Sequence, residues 1–157
     1  MKTYIVNPDN NKLVPIEDWR KDPDPKRAQL LAIETDDDHL LLVSKSYLPC
    51  GEVDFEEAQK ACAEFKPMEG ITFRCPTRKE CIDLYDARFQ GLDEAVELTG
   101  GNFARRKEGN WYWTAERDTD PRCVAYSAWY SYGGTGYLSS SYLVYTASLA
   151  LPVTLLK

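Results

Sequence analysis

The sequence predicts a single α+β domain with two helices, small antiparallel β-sheets and a long irregular C-terminal half. Two marked helix starts, two hairpin patterns and a late run of alternating aromatic residues lead to this prediction. The chain has 157 residues, which is enough for one domain with a hydrophobic core. Its hydrophobic fraction of 43% is ordinary for a globular protein.

The N-terminal residues 1–28 are expected to form an extension or a small hairpin. Residues 3–6 and 12–16 have strand character, and the turn-rich sequence Asn-Pro-Asp-Asn lies between them. Proline and aspartate at residues 22–25 indicate a loop after this hairpin.

The main domain is expected to cover residues 29–157 and to begin with a second hairpin. Apolar runs at residues 29–34 and 39–44 flank a turn with three consecutive aspartates, residues 36–38. These carboxylates raise the alternative of a calcium site, although consecutive aspartates in a turn are usually just solvated. We therefore expect no bound metal.

Capping patterns mark the two main helices. Asp54 precedes a helical repeat of apolar residues that ends before Pro67. Thr77 and Glu80 form a capping-box pattern that starts the second helix after Pro76. The buried faces are predicted to consist of Phe55, Ala58, Ala61, Cys62 and Phe65 in the first helix, and of Cys81, Leu84, Tyr85 and Phe89 in the second.

Three shorter elements are predicted around and after the second helix. Residues 71–74 alternate like a strand, and residues 92–98 form a short helix that stops at two glycines. The aromatic alternation of residues 111–114 predicts a strand, and residues 123–132 predict another one before a Gly-Gly-Thr-Gly turn. Residues 137–147 and 149–156 complete the chain.

The segment from Val124 to Ser148 has an unusual composition. Of its 25 residues, six are Tyr, six are Ser and three are Gly. A buried sheet would favour Val, Ile, Leu and Phe, because every buried phenolic hydroxyl needs a hydrogen-bond partner. Tyr, Ser and Gly are instead typical of antibody combining sites. The segment therefore predicts a recognition surface; the alternative is an aromatic-rich sheet held by cross-strand Tyr pairs.

Charge and cysteine content exclude several functions. The formal net charge is -6, so nucleic acid is not expected as a partner. No apolar stretch is long enough to span a bilayer, and the N-terminus has no signal-peptide pattern. The expectation is cytoplasmic synthesis, followed by incorporation into a virion or display by another route. Five cysteines without a CxxC pair fit buried thiols, although a Cys50–Cys75 or Cys75–Cys123 bridge is open.

Several short segments resemble bacterial C-type-lectin-like domains, which are related to the formylglycine-generating enzymes. Residues 71–85 are similar to the pattern W-R-L-P-T-x-x-E-x-x-x-L-Y, and residues 111–116 to Y-W-T/S-S-T/A-E. Residues 128–130 and 151–153 occupy the places of A-W/Y-x-x-F and R-P-V-R. Cys75 and Leu151 depart from these patterns, which have Leu and Arg there. The resemblance covers residues 29–157 and implies a C-type-lectin-like fold.

One branch of that family is similar to this chain at its C-terminal end. The variable proteins of diversity-generating retroelements carry a hypervariable region on a C-type-lectin scaffold. By this resemblance, the inward scaffold positions are Trp113, Ala125, Ala128 and Tyr130. The outward, ligand-binding positions are Arg117, Thr119, Tyr126, Ser127, Trp129, Ser131, Tyr132, Tyr137, Ser139, Ser140, Tyr142 and Tyr145.

The enzyme alternatives find little support in the sequence. The formylglycine-generating branch needs a close pair of cysteines late in the domain, and only Cys123 lies there. His39, the only histidine, follows three aspartates and is expected to be a solvated turn residue. The carboxylate pairs Asp93/Glu94 and Asp118/Asp120 show no pattern of burial. No catalytic residue and no cofactor are expected.

The sequence thus predicts a non-catalytic binding protein whose ligand is a protein or glycan on a target surface. A receptor-binding, phage-tail or surface-display protein diversified by a retroelement fits this prediction. The alternatives are a structural phage or surface component without its own ligand, and a lectin that binds glycans without calcium. Association of the chain into a homo-oligomer is compatible with each.

Overall fold

The computed structural model of the chain is an α+β domain, as the sequence predicts. It describes residues 2–103, 110–117, 123–130, 137–142 and 148–156, with the backbone alone for residues 110, 117, 123–130 and 137–142. Its strands are β1 (Thr3–Val6), β2 (Leu13–Pro15), β3 (Leu30–Glu34), β4 (Leu40–Ser44), β5 (Asn110–Arg117), β6 (Cys123–Tyr130), β7 (Tyr137–Tyr142) and β8 (Val153–Leu156). Its α-helices are α1 (Ile16–Trp19), α2 (Phe55–Glu64), α3 (Arg78–Ala87) and α4 (Leu92–Leu98).

The larger sheet has five strands in the order β2-β1-β3-β4-β8, and all of its pairs are antiparallel. Both predicted hairpins are confirmed, since β1 pairs with β2 and β3 pairs with β4. β1 also pairs with β3, so the N-terminal hairpin forms one edge of this sheet. The other edge is β8, which comes from the end of the chain and pairs with β4.

Apolar side chains cover both faces of the larger sheet. Leu31, Ile33 and Leu41 belong to a first core beneath α3 and α4, together with Leu84, Leu92, Phe103 and Tyr112. The alternate residues of the same strands face a third core, with Leu30, Ala32, Leu42 and Phe73. This two-sided burial explains why β3 and β4 are apolar runs without polar alternation.

A smaller second core lies between α2 and β5. It consists of Phe55, Ala58, Cys62, Cys75, Trp113 and Ala150. The predicted helices α2, α3 and α4 are confirmed, and both predicted N-caps form: Asp54 accepts a hydrogen bond from the amide of Glu57, and Thr77 completes a capping box with Glu80. The single-turn helix α1 was not predicted, since four residues are too short for a periodic pattern. Within the described residues, no helix is both long and apolar enough to cross a membrane.

The predicted strand at residues 71–74 is wrong. Only Arg74 makes a β-bridge, exchanging two backbone hydrogen bonds with Val153 at 2.9 and 2.8 Å. The alternation of this segment reflects burial of the Phe73 side chain in the third core, without a partner strand along its length. Periodicity reports which side chains are buried and does not show that a ladder of backbone hydrogen bonds forms.

The predicted burial of Phe89 is also wrong, since its side chain is 68% exposed. Helix α3 ends at Ala87, and residues Arg88–Gln90 tighten into a 3-10 turn. A 3-10 helix has fewer residues per turn than an α-helix, so the side chains after Ala87 point in different directions. As a result, Arg88 is only 4% exposed, whereas Phe89 faces solvent. The Arg88 guanidinium lies 4.2 Å from the ring centres of both Tyr85 and Phe89.

We therefore expect Phe89→Ser to lower the free energy of unfolding by less than about 1 kcal/mol, because the ring loses little buried area. Urea denaturation followed by circular dichroism measures this difference. Leu84→Ala, at a fully buried position of the preceding helix α3, serves as the control and should cost several times more. A comparable loss in both variants would contradict the exposed position of Phe89.

Candidate functional site

The Tyr- and Ser-rich segment contributes two strands to a second, three-stranded antiparallel sheet in the order β5-β6-β7. Between β6 and β7 the register aligns Tyr126 with Ser140, Ser127 with Ser139, and Trp129 with Tyr137. Residues that lie directly opposite one another in an antiparallel pair are on the same face of the sheet. The register therefore pairs positions that lie eight to fourteen residues apart in the sequence.

The register between β5 and β6 extends these pairs across the whole sheet. Trp111 lies opposite Trp129, and Trp113 lies opposite Ser127. A row of three aromatic residues, Trp111, Trp129 and Tyr137, thus crosses all three strands. An irregularity in the register follows between Trp113 and Arg117, where the pairing shifts.

Strand β5 is fixed to the body of the protein on both of its faces. Tyr112 is 1% exposed and packs in the first core, where Phe103 meets its ring edge-on at 5.9 Å. Trp113 is also 1% exposed but packs in the second core, edge-on to Phe55 at 5.8 Å. Consecutive residues of a strand point to opposite faces, so β5 lies between the two cores.

Hydrogen bonds also attach β5 to segments far away in the sequence. The indole N–H of Trp113 donates to the carbonyl oxygen of Val53 at 2.7 Å. The amide of Trp113 donates to the carbonyl of Leu149, and the amide of Leu149 donates to the carbonyl of Trp111, both at 3.0 Å. Gln59 of α2 donates its side-chain amide to the carbonyl of Thr114 at 3.0 Å. The strand that carries β6 and β7 is therefore held in place along its length.

The start of α3 makes a further attachment to β5. The amide of Ala115 donates to the carbonyl of Pro76 at 2.7 Å. One residue further, Glu116 accepts from both the backbone amide and the guanidinium of Arg78, each at 2.9 Å. The capping box of α3 thus begins a helix whose first residue contacts the second sheet.

The buried carboxylate of Glu80 stabilises this helix start. The carboxylate of Glu80, 6% exposed, accepts from the guanidinium of Arg74 at 2.6 and 2.9 Å and from the amide of Thr77 at 2.9 Å. Burial alone would raise the pKa of Glu80, but these hydrogen bonds outweigh it and hold the pKa below its ordinary value. In Asp83 burial prevails over the attraction of Lys79, and the pKa is raised. The pKa of Glu80 is therefore lowered, whereas that of Asp83 is raised.

The structure brings eight of the twelve predicted ligand-binding positions onto one sheet. Arg117 ends β5, and the remaining seven are Tyr126, Ser127 and Trp129 on β6 and Tyr137, Ser139, Ser140 and Tyr142 on β7. Thr119, Ser131, Tyr132 and Tyr145 lie outside the described residues. Of the predicted scaffold positions, Trp113 is buried, while Ala125, Ala128 and Tyr130 lie on β6 with a described backbone.

The described side chains that were weighed for catalysis or metal binding lie in separate places, and Asp118 and Asp120 lie outside the described residues. His39 is half-buried at the end of the β3–β4 turn, where its backbone exchanges hydrogen bonds with Thr35. Asp37 in the same turn forms an ion pair with Lys79 at 2.8 Å. Glu94 is paired with Arg20, whereas the neighbouring Asp93 is buried in α4. Among the described residues, no group of three or more His, Cys, Asp or Glu side chains is placed to hold a metal ion.

The cysteines confirm the predicted burial of Cys62 and Cys81, which are 0% and 3% exposed. Cys50 is exposed and Cys75 is buried, and both are free thiols. Neither of the bridges considered from the sequence is therefore present, since both would use Cys75.

Two features of the structure could not be found from the sequence. The first is the attachment of β5 by Gln59 and Val53, since pairings across 55 and 60 residues leave no local pattern. The second is an open cleft of about 550 Å³ beside the N-terminal hairpin, where Thr3, Glu17, Gln90 and Glu94 are among the lining residues. None of the cleft's lining residues belongs to the predicted ligand-binding set.

Comparison of the chain with models of known protein families, with characterised proteins and with solved structures found no match.

Proposed function

We propose that the protein is a non-catalytic binding protein that holds a protein or glycan ligand on the sheet β5-β6-β7. The observation that carries this proposal is the register of β6 and β7. It aligns Ser127 with Ser139 and Trp129 with Tyr137 on one face of the sheet and Tyr126 with Ser140 on the other, so that aromatic and hydroxyl-bearing residues occupy neighbouring paired positions.

The chemistry of these residues suits recognition. A Tyr or Trp side chain offers a large amphipathic contact and loses only two torsions when it is immobilised. Neighbouring Ser hydroxyls can donate or accept hydrogen bonds without crowding the rings. Glycans in particular stack on aromatic rings and form hydrogen bonds through their hydroxyl groups. The same residues would therefore suit glycan binding without calcium.

The anchored position of β5 supports the same function. Tyr112 and Trp113 are buried in different cores, so β5 is a fixed base for the two strands that carry the Tyr and Ser residues. A surface on a fixed base loses less conformational entropy when a ligand binds. The buried strand β5 thus supports the two strands on which most of the proposed recognition residues lie.

We further propose that the fold is C-type-lectin-like and that the C-terminal segment is a retroelement-diversified region. In support, the segments that carry the resemblance meet in space although they are far apart in sequence. The carbonyl of Pro76 accepts from the amide of Ala115 at 2.7 Å, and Arg74 bridges to Val153 in the closing Leu-Pro-Val segment. Their shared order along the chain is thus accompanied by mutual contact.

Replacing Tyr126, Trp129, Tyr132 and Tyr142 together by alanine is expected to weaken ligand binding at least about 100-fold, since central aromatic residues each contribute about 2 kcal/mol or more. The change should leave folding nearly intact. Retention of labelled protein on immobilised glycans, and on bacterial cells with and without protease treatment, measures binding and separates a glycan ligand from a protein ligand.

The matched control is the double variant Ile82→Ser and Phe89→Ser. It removes the two large hydrophobic side chains that are 52% and 68% exposed on α3 and its following turn. This control should retain binding, because it removes general surface adhesion and leaves β6 and β7 unchanged. Unfolding of the fourfold variant would favour a core role for these residues. If the wild type bound no probe but formed a symmetric assembly through these residues, the structural component would be the correct alternative.

A genomic observation tests the diversified origin. A near-copy of the 3′ coding region beside a reverse transcriptase gene, differing mainly at adenines, would support it. A fixed C-terminal segment in close relatives of the chain would contradict it.

A further inference from the structure

Two buried cysteines face each other within the second core. The Sγ atoms of Cys62, on α2, and Cys75, before α3, are 3.5 Å apart, and both residues are 0% exposed. A disulfide has an S–S distance of about 2.05 Å, so a closure of roughly 1.5 Å would join them. This pair differs from either bridge that the sequence suggests.

The surroundings of the pair are apolar and tightly packed. Phe55, Ala58, Trp113 and Ala150 are the other buried residues of this core. The Cys75 thiol donates to the sulfur of Cys62, and this hydrogen bond together with burial raises the pKa of the Cys62 thiol. In the folded, reduced protein Cys62 is therefore protonated and slow to react, because the thiolate is the nucleophile.

We propose that Cys62 and Cys75 are the site of a reversible disulfide that links α2 to the segment entering α3, formed by exchange with an organic disulfide such as glutathione disulfide. The inference stands on the geometry of the second core and does not depend on the proposed ligand-binding function.

The exchange has two balanced steps. When the chain folds, or when the second core opens locally, one cysteine loses its proton to solvent and attacks glutathione disulfide. A mixed disulfide forms and one glutathione thiolate leaves. The second cysteine then attacks the protein sulfur of the mixed disulfide and releases the second glutathione. The two protein thiols are oxidised to one disulfide, and one glutathione disulfide is reduced to two glutathione molecules.

The position of the pair gives the bond a structural consequence. The residue after Cys75 is Pro76, whose carbonyl accepts from the amide of Ala115 in β5. Three residues before Cys62 is Gln59, whose side chain donates to the carbonyl of Thr114 in the same strand. A bond between the two cysteines would thus link the two elements that attach to β5. It would close a short loop and restrict the unfolded chain.

The other two cysteines with a described side chain, Cys81 and Cys50, make poorer partners. Cys81 is buried in the first core, where its thiol interacts with Tyr112. Cys50 is exposed, and the carbonyl of Gly51 is within 3.8 Å of its sulfur. Oxidation is therefore expected to select the pair that is already in contact.

The test uses the full chain, unfolded and refolded in glutathione buffers that range from reducing to oxidising. Free thiols are then alkylated, and the protein is digested without reduction for mass spectrometry. We expect a Cys62–Cys75 cross-linked peptide in the oxidising buffers and its loss after reduction. The urea midpoint of the oxidised protein should rise by about 1–2 M relative to the reduced protein.

Cys50→Ser removes the exposed thiol and should leave both results unchanged. Cys62→Ala should abolish the cross-link and the rise in the midpoint, with Cys81→Ala as the matched buried control that retains them. Peptide mapping of the wild type decides the question even if a buried variant fails to fold. Alkylation of both Cys62 and Cys75 after refolding in the most oxidising buffer would overturn the proposal. A bridge from Cys75 to Cys50 or Cys123 would also overturn it.

Discussion

Replacing Trp113 by alanine is expected to lower the free energy of unfolding by about 3–5 kcal/mol. The indole is 1% exposed and is the largest side chain of the second core. Its removal leaves a cavity beside Phe55, and it leaves the carbonyl of Val53 without the indole N–H as a hydrogen-bond donor. Urea denaturation of the two proteins, followed by circular dichroism, gives the difference.

Two further variants separate the causes. Trp113→Phe keeps an aromatic ring but cannot donate to Val53, so it should cost less than the alanine variant. Trp111→Ala lies two residues earlier on β5, where the side chain is only half-buried, and should also cost less. Equal losses at Trp111 and Trp113 would show that β5 is not held chiefly through the second core, and the fixed base proposed for β6 and β7 would then lose its support.

The helices could be predicted because their starts are encoded locally. Asp54 and Thr77 lie three residues before Glu57 and Glu80, and each makes the hydrogen bond that this spacing predicts. The β3–β4 hairpin could also be predicted from the sequence, since its two strands are separated by a short turn. Capping and turn formation depend on neighbours within four residues, so a single sequence carries the information.

The arrangement of the strands could not be predicted because it depends on distant partners. β8 pairs with β4 across more than 100 residues of sequence, and β5 is held by Val53 and Leu149. The sequence of β5 shows an alternation of aromatic residues, which identifies a strand but not that Tyr112 and Trp113 enter different cores. The local sequence pattern predicts whether a segment is a helix or a strand. Whether both faces of a strand are buried depends on the distant segments that pack against it.

The candidate surface was predictable from composition to the extent that its residues share β6 and β7. The composition does not predict which residues lie opposite one another, because a shift of the register by one residue would exchange the two faces of the sheet. The register that pairs Tyr126 with Ser140 is therefore information from the structure alone. Experiments on single pairs, such as Trp129 with Tyr137, become possible only with this register.

Glu80→Ala is expected to lower the free energy of unfolding by about 2–4 kcal/mol at pH 7. The substitution removes the reciprocal half of the α3 capping box and both contacts to the Arg74 guanidinium. The Arg74 side chain is 40% exposed, so water compensates part of the loss and the cost stays below that of a fully buried pair. Urea denaturation at neutral pH measures it.

Acidification should reveal the same interaction in the wild type. The pKa of Glu80 is lower in the folded protein than in the unfolded chain, where it is near 4.5. Its contribution to stability is therefore fully present above about pH 4.5 and is lost as the pH falls through the lower pKa of the folded state. Asp83 has a raised pKa, so its protonation on acidification acts in the opposite direction.

Comparison with Glu80→Gln isolates the contribution of Glu80 from the other carboxyl groups. Glutamine has no proton to gain, and its side-chain oxygen can still accept from the amide of Thr77. The difference in stability between wild type and Glu80→Gln should be largest near neutral pH and should shrink steadily below pH 4.5. A difference that stayed constant down to acid denaturation would show that the Arg74–Glu80 contact acts through packing and not through charge, and it would contradict the lowered pKa of Glu80.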